Sequence, residues 1–200
     1  MTTTGQERAS SEKPRVDGKA ATGRLRRTIV LVGLMGAGKT AVGKRLAALE
    51  KVPFVDADAA IVEAAGMSIP DIFEGYGEPA FRDLERRVVT RLLLEPPLVL
   101  ALGGGAFVDD EIRARVAEHG YSLWLKVDLD TLVARTARKK NSRPLLRAGD
   151  PKAILDGLMQ KRHPIYARAD ITFESGDQTV DELVERVREK LRQENILDAV

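Results

Sequence analysis

The sequence predicts an α/β protein built on a parallel sheet with helices on both faces. Three observations carry that expectation. From Thr28 onward, short β-rich runs alternate with amphipathic helical stretches. The β-rich runs are apolar throughout rather than alternating, which suits strands covered on both sides. A glycine-rich turn, Gly33 to Gly38, joins the first run to the first helical stretch. With 200 residues, of which 44% are hydrophobic and 31% charged, the chain can bury a sizeable core. At roughly 150 residues to an ordinary domain, that length makes one domain with an appendage.

Taken in order, the strands fall at Thr28–Val32, Pro53–Val55, Leu98–Leu102, Tyr121–Val127 and Asp170–Phe173. Lys39–Leu49 puts Val42, Leu46 and Leu49 on one helical face, and Ala59–Ala65 continues helically after the second strand. Pro79–Leu94 repeats Phe81, Leu84, Val88 and Leu92 behind a proline suited to a first helical turn. Ser68 with Asp71 fits a helix cap, and Thr179 with Glu182 fits the capping box that opens a C-terminal helix. The polar, basic stretch Arg138–Asp150 reads as a loop. Residues Met1 to Arg26 have no aromatic residue and little periodic apolar content, so burial cannot offset the entropy of ordering them. They read as a solvated tail ahead of a domain spanning residues 27–200.

Composition excludes several functional classes. There is no cysteine, hence no disulfide, thiolate zinc site, iron–sulfur cluster or cysteine nucleophile. Two histidines, His119 and His163, do not make a histidine-rich metal site, so a metal is expected on oxygen ligands. The apolar runs Ile29–Met35 and Leu98–Phe107 fall short of the ~20 residues that cross a bilayer, and no secretory segment opens the chain. A cytoplasmic protein without membrane attachment is the expectation. The net charge of +2 divides unevenly, with seven Lys/Arg and three acids in residues 1–27 and a slightly acidic remainder. A globally basic nucleic-acid binder is therefore not expected.

The segment Gly33-Leu34-Met35-Gly36-Ala37-Gly38-Lys39-Thr40 has the pattern G-x-x-x-x-G-K-[ST] between a strand and a helix. Glycines let successive backbone N–H groups turn inward around the phosphates of a nucleoside triphosphate. Lys39 adds a charge near the β and γ phosphates, and the Thr40 hydroxyl can ligate Mg²⁺. The D-x-x-G and N-K-x-D patterns of a GTP switch do not occur. A small kinase fits the length.

A kinase needs an acceptor hydroxyl in line with the γ-phosphate and a group to receive its proton. Asp56 and Asp58 follow the second strand, and two readings stand open: both face the crevice, or one of them caps the following helix. Arg82 and Arg162 can hold a carboxylate bidentately if they converge beside the aspartates, which would favour a small anionic polyol. Gly103-Gly104-Gly105, after the third strand, lets a ligand approach bare backbone. The basic run Arg135, Arg138, Lys139, Lys140, Arg143 and Arg147 lacks aromatic stacking partners and suits a polyphosphate lid better than a nucleic-acid patch.

Together these residues resemble the shikimate kinase family over Thr28 to about Glu174. The motifs are G-L-M-G-A-G-K-T, F-V-D-A-D, S-I-x-D-I-F with G-E-x-x-F-R-x-x-E, L-G-G-G-A, R-P-L-L and R-x-P-x-Y. The resemblance implies a P-loop, nucleoside-monophosphate-kinase-like three-layer sandwich with a five-stranded parallel sheet. It also implies a shikimate-binding region over about 58–91 and a mobile lid over about 136–150. The implied reaction is ATP-dependent phosphorylation of the shikimate 3-hydroxyl, in the route to chorismate and aromatic amino acids. By the same resemblance, Gly36, Ala37, Gly38, Lys39, Thr40 and Ala41 hold ATP, with Arg143 of the lid reaching the phosphates. Asp58 contacts shikimate hydroxyls and serves as the base; Arg82 and Arg162 hold the carboxylate; Gly104 and Gly105 line the ring. Thr40, and Asp56 through water, hold Mg²⁺. ATP and shikimate are the expected small-molecule partners of a monomer, with no nucleic acid and no membrane. Two departures stand out: Ala101 occupies a position that is serine in some members, and the lid is one residue longer than in some, leaving Arg135 and Arg138 both candidates for adenine.

Two rivals remain. One is a P-loop kinase for another small hydroxy acid such as gluconate, or for a nucleoside monophosphate. The other is a nucleotide-binding module without transfer activity, which would have no use for Asp58, Arg82 and Arg162 together.

Overall fold

The computed structural model describes residues 25–137, 149–176 and 178–198. Its centre is a five-stranded parallel sheet in the order β2-β3-β1-β4-β5. Along the chain run β1 (Thr28–Val32), α1 (Lys39–Glu50), β2 (Phe54–Asp56), α2 (Ala57–Ala65), α3 (Ile69–Leu93), β3 (Val99–Ala101), α4 (Asp110–His119), β4 (Gly120–Lys126), α5 (Leu129–Ala137), α6 (Pro151–Tyr166), β5 (Ile171–Glu174) and α7 (Val180–Gln193). A 3₁₀ turn, Ala106–Val108, lies between β3 and α4. Each crossover returns to a parallel strand, and right-handed crossovers place helices on both faces of the sheet. Among the described residues no helix is long and apolar enough to cross a membrane.

All five residues of β1 are buried, as the unbroken apolar run requires of a central strand. The other four strands differ from expectation by one residue at both ends. Asp56 stays in β2 because it pairs with Ala101, and Asp170 is left out of β5 because its carboxylate accepts the Ser122 N–H (2.7 Å) and hydroxyl (2.6 Å). The helix expected from Pro79 is the second part of α3, which breaks at Gly77 (φ 78°, ψ 172°); Pro79 then stands in the first turn after the break. Ser68 caps α3 by accepting from the Asp71 N–H, and the Thr179–Glu182 capping box opens α7. Sequence periodicity missed α4, α5 and α6. Each buries only two residues, Ile112 and Val116, Leu132 and Thr136, Leu155 and Tyr166, too few to write an apolar stripe.

Leu25 and Arg26, assigned to the tail, belong to the folded body. Leu25 is buried and bridges Leu197, while Arg26 donates from its N–H to the Ile196 carbonyl (3.0 Å) and pairs with Asp198 (2.6 Å). A single leucine at the end of a polar segment carries no period, so contact with the C-terminal residues was not legible. Residues 1–24 lie outside the described residues, as do 138–148, which hold most of the expected loop.

α1 rides close to the sheet at Gly43, where a Cβ would stand 2.5 Å from the Phe54 ring and 2.9 Å from Leu31 Cδ1. Gly43→Ala is therefore expected to cost about 1–3 kcal/mol through overpacking. Thermal unfolding should show a midpoint lowered by a few degrees.

Candidate active site

The crevice opens where β1 and β3 lie side by side. The connection from β1 leaves toward β2 and the connection from β3 leaves toward β4, so two loops diverge above neighbouring strand ends. The register pairs Leu31 with Ala101, and the Leu102 N–H donates to the Leu31 carbonyl at 3.1 Å. Both loops are glycine-rich.

After β1, Gly33, Gly36 and Gly38 take φ of 148°, 85° and 97°, in the half of backbone space where side chains are strained. At Gly33 a Cβ would also stand 2.8 Å from the Leu125 carbonyl oxygen. Gly38 occupies the N-cap of α1 and offers no side-chain acceptor, so the first-turn N–H groups are left for an anion; α2, α3, α4, α6 and α7 are all capped by Asp, Ser or Thr. Ala37 is buried beneath the loop, and Thr40 and Ala41 are exposed on the first turn of α1. Lys39 Nζ donates to the carbonyls of Gly33 (2.7 Å) and Leu34 (3.1 Å), arching back over the loop. Arg135, at the end of α5, donates to the Gly176 carbonyl (3.1 Å), with Nη1 4.0 Å from where a Gly38 Cβ would be. Arg135 thus borders the cradle; Arg138 and Arg143 lie outside the described residues.

After β3, each glycine of the run meets a different side chain expected at the acceptor site. A Cβ at Gly103 would stand 2.5 Å from Asp58 Oδ1, one at Gly104 3.2 Å from Arg162 Nη1, and one at Gly105 3.1 Å from Arg82 Nη1. The same Gly104 position is 3.9 Å from the Gly33 carbonyl oxygen. Asp58, Arg82 and Arg162 therefore converge on one strip of bare backbone beside the phosphate cradle.

The two aspartates do different work. Asp56 ends β2 and caps α2, one carboxylate oxygen accepting the Asp58 N–H at 3.1 Å. Asp58 lies in the first turn of α2, so helix geometry rather than strand pleat sets its direction. Burial among protein atoms, and then the charge of Asp56, push the Asp58 carboxyl above its ordinary value against the pull of Lys39 and Arg82.

Arg82 is held by two acids that the sequence reading gave no role. Its Nη1 donates to Glu85 (2.7 Å) and its Nη2 to Glu78 (3.2 Å). The Glu85 side chain is only 2% exposed; burial raises its carboxyl above normal, and the bond from Arg82 opposes the rise. Burial works against the Arg82 charge, yet the bonds to Glu85 and then Glu78 leave it more firmly protonated than usual. The signal was present in the register: Phe81, Val88 and Leu92 define the buried face, and residue 85 falls on it. An acid at a core position asks for a buried partner. Arg162, on α6, donates to the Gly104 carbonyl at 2.8 Å, and the buried Tyr166 donates its hydroxyl to the same oxygen.

For the metal, Thr40 and Asp56 provide oxygen donors alone. Among the described residues no three His, Asp or Glu side chains gather into a cage. That donor set fits Mg²⁺, which keeps several waters and is bound through one or two protein oxygens plus substrate phosphates.

Comparison with known proteins agrees with this geometry. The sequence model of the shikimate kinase family matches residues 35–192. A shikimate kinase of Paramagnetospirillum magneticum is 54% identical over 169 residues, 84% of this chain and 86% of that protein. The solved structure of a shikimate kinase from Acinetobacter baumannii in complex with shikimate superposes with a TM-score of 0.78 at 38% identity, covering 86% of this chain and 96% of that one. A gluconokinase from Sinorhizobium meliloti, at 18% identity and a TM-score of 0.54 over 86% of this chain and 98% of that one, shares the fold.

In ligand-free protein, carboxyl-carbon NMR across a pH titration is expected to show Asp58 losing its proton above the ordinary aspartate range. Asp56→Asn, which keeps a capping oxygen but removes a negative charge, should lower that pKa. Arg82→Gln, which removes a positive charge, should raise it.

Proposed function

From its membership of the shikimate kinase family, to which the chain belongs, we propose the following chemistry for the crevice. The enzyme transfers the γ-phosphoryl group of ATP to the 3-hydroxyl of shikimate, giving 3-phosphoshikimate and ADP. The observation that carries the reading is the convergence of Asp58, Arg82 and Arg162 on Gly103, Gly104 and Gly105, beside the Gly33–Thr40 loop.

ATP lies with its phosphates on the N–H groups of Gly36, Ala37, Gly38, Lys39, Thr40 and Ala41, where the uncapped start of α1 favours negative charge. Lys39 neutralises the β and γ oxygens. Thr40 and Asp56 would hold Mg²⁺, which when bound would neutralise phosphate charge and fix the phosphates in place. Arg82 and Arg162 take the shikimate carboxylate, while Gly104 and Gly105 allow the ring to lie on the backbone. Asp58 then faces the hydroxyls and receives the proton of the attacking one. Its raised pKa makes the carboxylate a better proton acceptor than a solvated aspartate. Because charge accumulates on the transferring oxygens, Lys39 and the incoming Arg143 contribute more than the base does.

We take the enzyme to be a cytoplasmic monomer acting on free small molecules in the route to chorismate and aromatic amino acids, with residues 1–24 outside the catalytic domain. The lid expected over about 136–150 lies mostly outside the described residues. The gluconate alternative has the fold in common with this chain, but the two arginines on a glycine strip favour a compact ring carboxylate.

ADP release measured across shikimate, gluconate and AMP should show turnover of shikimate alone, with phosphorus NMR placing the phosphate on the 3-oxygen. Lys39→Met is expected to lower kcat on the order of 10²–10³-fold or more while the protein remains folded. Arg82→Lys keeps the charge and loses the fork, and should raise the shikimate KM about tenfold with little change in the ATP KM. Equal losses for both substrates would assign Arg82 a structural role.

A further inference from the structure

The R-x-P-x-Y segment contributes Arg162 to the acceptor site and leaves its tyrosine without a role. Tyr166 is fully buried at the end of α6, four residues after Arg162, so both side chains project from one face of the helix. Both donate to one atom, the carbonyl oxygen of Gly104. Burial raises the Tyr166 pKa against the influence of Arg162, which favours the protonated, hydrogen-bond-donating phenol.

The two donors differ in what else they can do. Tyr166 is packed edge-on against Trp124, with ring centroids 6.0 Å apart, and its hydroxyl donates to the Gly104 carbonyl. Arg162 is only half-buried and its guanidinium holds a neutral carbonyl, a weaker partner than a carboxylate. An incoming carboxylate therefore draws Arg162 away from Gly104. With Arg162 gone, the carbonyl would be left unpaired in a largely buried place unless a second donor remains. The peptide geometry matters as well. All described peptide bonds are trans, so the Gly105 N–H points opposite to the Gly104 carbonyl, away from α6, and it has no acceptor among the described residues. Glycines on either side give this peptide no steric restraint of its own.

We infer that Tyr166 is a positioning residue for the acceptor: its hydroxyl pins the Gly104–Gly105 peptide, freeing Arg162 to exchange the Gly104 carbonyl for the substrate carboxylate. This rests on reading the site as the shikimate site. Tyr166 touches no reacting atom; it acts through Gly104 and Arg162.

The test is Tyr166→Phe, which removes one oxygen and keeps the ring. Steady-state kinetics with each substrate varied should show the shikimate KM raised about tenfold, the effect of leaving one buried carbonyl without its donor, and the ATP KM unmoved. Trp124 is the only tryptophan and lies 4.9 Å from the His163 ring, so its emission supplies a direct shikimate titration. That dissociation constant should rise by the same factor. Equal rises in both KM values, or an unchanged shikimate KM and dissociation constant, would overturn the role. Should the unsubstituted enzyme pass over shikimate, the acceptor assignment fails on that result alone. The Gly104 carbonyl-carbon resonance in ligand-free protein still decides the role of Tyr166: it should move upfield in the variant, and an unmoved resonance overturns the inference.

Discussion

Everything at this site depends on two stretches of side-chain-free backbone emerging from adjacent strand ends. Leu31 and Ala101 are register partners, and the backbone continues without a break in pairing until the Leu102 N–H meets the Leu31 carbonyl. Beyond that point each chain turns on glycine. A methyl at Gly33 would collide with the Leu125 carbonyl, and one at Gly103 would meet the Asp58 carboxylate. Parallel strands supply the adjacency, because only opposed crossovers open a crevice above their carboxyl ends. Glycine supplies the closeness, which lets nucleotide phosphates and acceptor share one wall.

The charge arrangement follows from that closeness. Arg82 and Arg162 both face the glycine run, yet they are held in unlike ways. Arg82 is tied to the buried Glu85, and separating them would strand a carboxylate with almost no water access. In the proposed site it is therefore the fixed anchor. Arg162 rests on a neutral carbonyl, a weaker partner than a carboxylate. One arginine is held by a buried acid and the other by a neutral carbonyl. Such a pair can be specific for a ring carboxylate without keeping two uncompensated guanidinium groups packed together in the empty crevice.

Much of this was legible in the sequence where local chemistry and long-range packing ask for the same residue. The Gly33–Thr40 pattern demands a strand before it and a helix after it, and β1 and α1 are there. The apolar runs marked β1 and β3 most plainly because a central parallel strand has no polar face to hide, whereas the edge strands β2 and β5 are only partly buried. Ser68, Thr179 and Pro79 marked helix starts through geometry that is complete within four residues. What stayed hidden required knowledge of a distant partner. Tyr166 looks like a core aromatic until the Gly104 carbonyl, 62 residues away, is seen to accept its hydrogen bond. Leu25 acquired its place from Leu197 at the opposite end of the chain. Asp58 was found for an incomplete reason: two residues past Asp56 is the same side of a strand, but it lies on the first turn of a helix that Asp56 itself begins.

The α5–α6 pair gives the two halves of the crevice a common reference. Thr136 of α5 packs over the nucleotide cradle, its methyl 3.0 Å from where a Gly36 Cβ would stand, and Arg135 borders Gly38 one residue earlier. α6 packs on α5 and carries Arg162 and Tyr166 to the Gly104 carbonyl at its far end. A displacement of this helical pair relative to the sheet would alter both the phosphate loop and the carboxylate clamp. The Thr136 hydroxyl also donates to the Leu132 carbonyl at 2.7 Å, locking that residue's rotamer so that its methyl rather than its oxygen meets Gly36. Phosphoryl transfer relies on placing two reactants within a few tenths of an ångström along one line. Hanging both binding loops on the same two strands, and backing both with the same two helices, meets that requirement with the fewest independently moving parts.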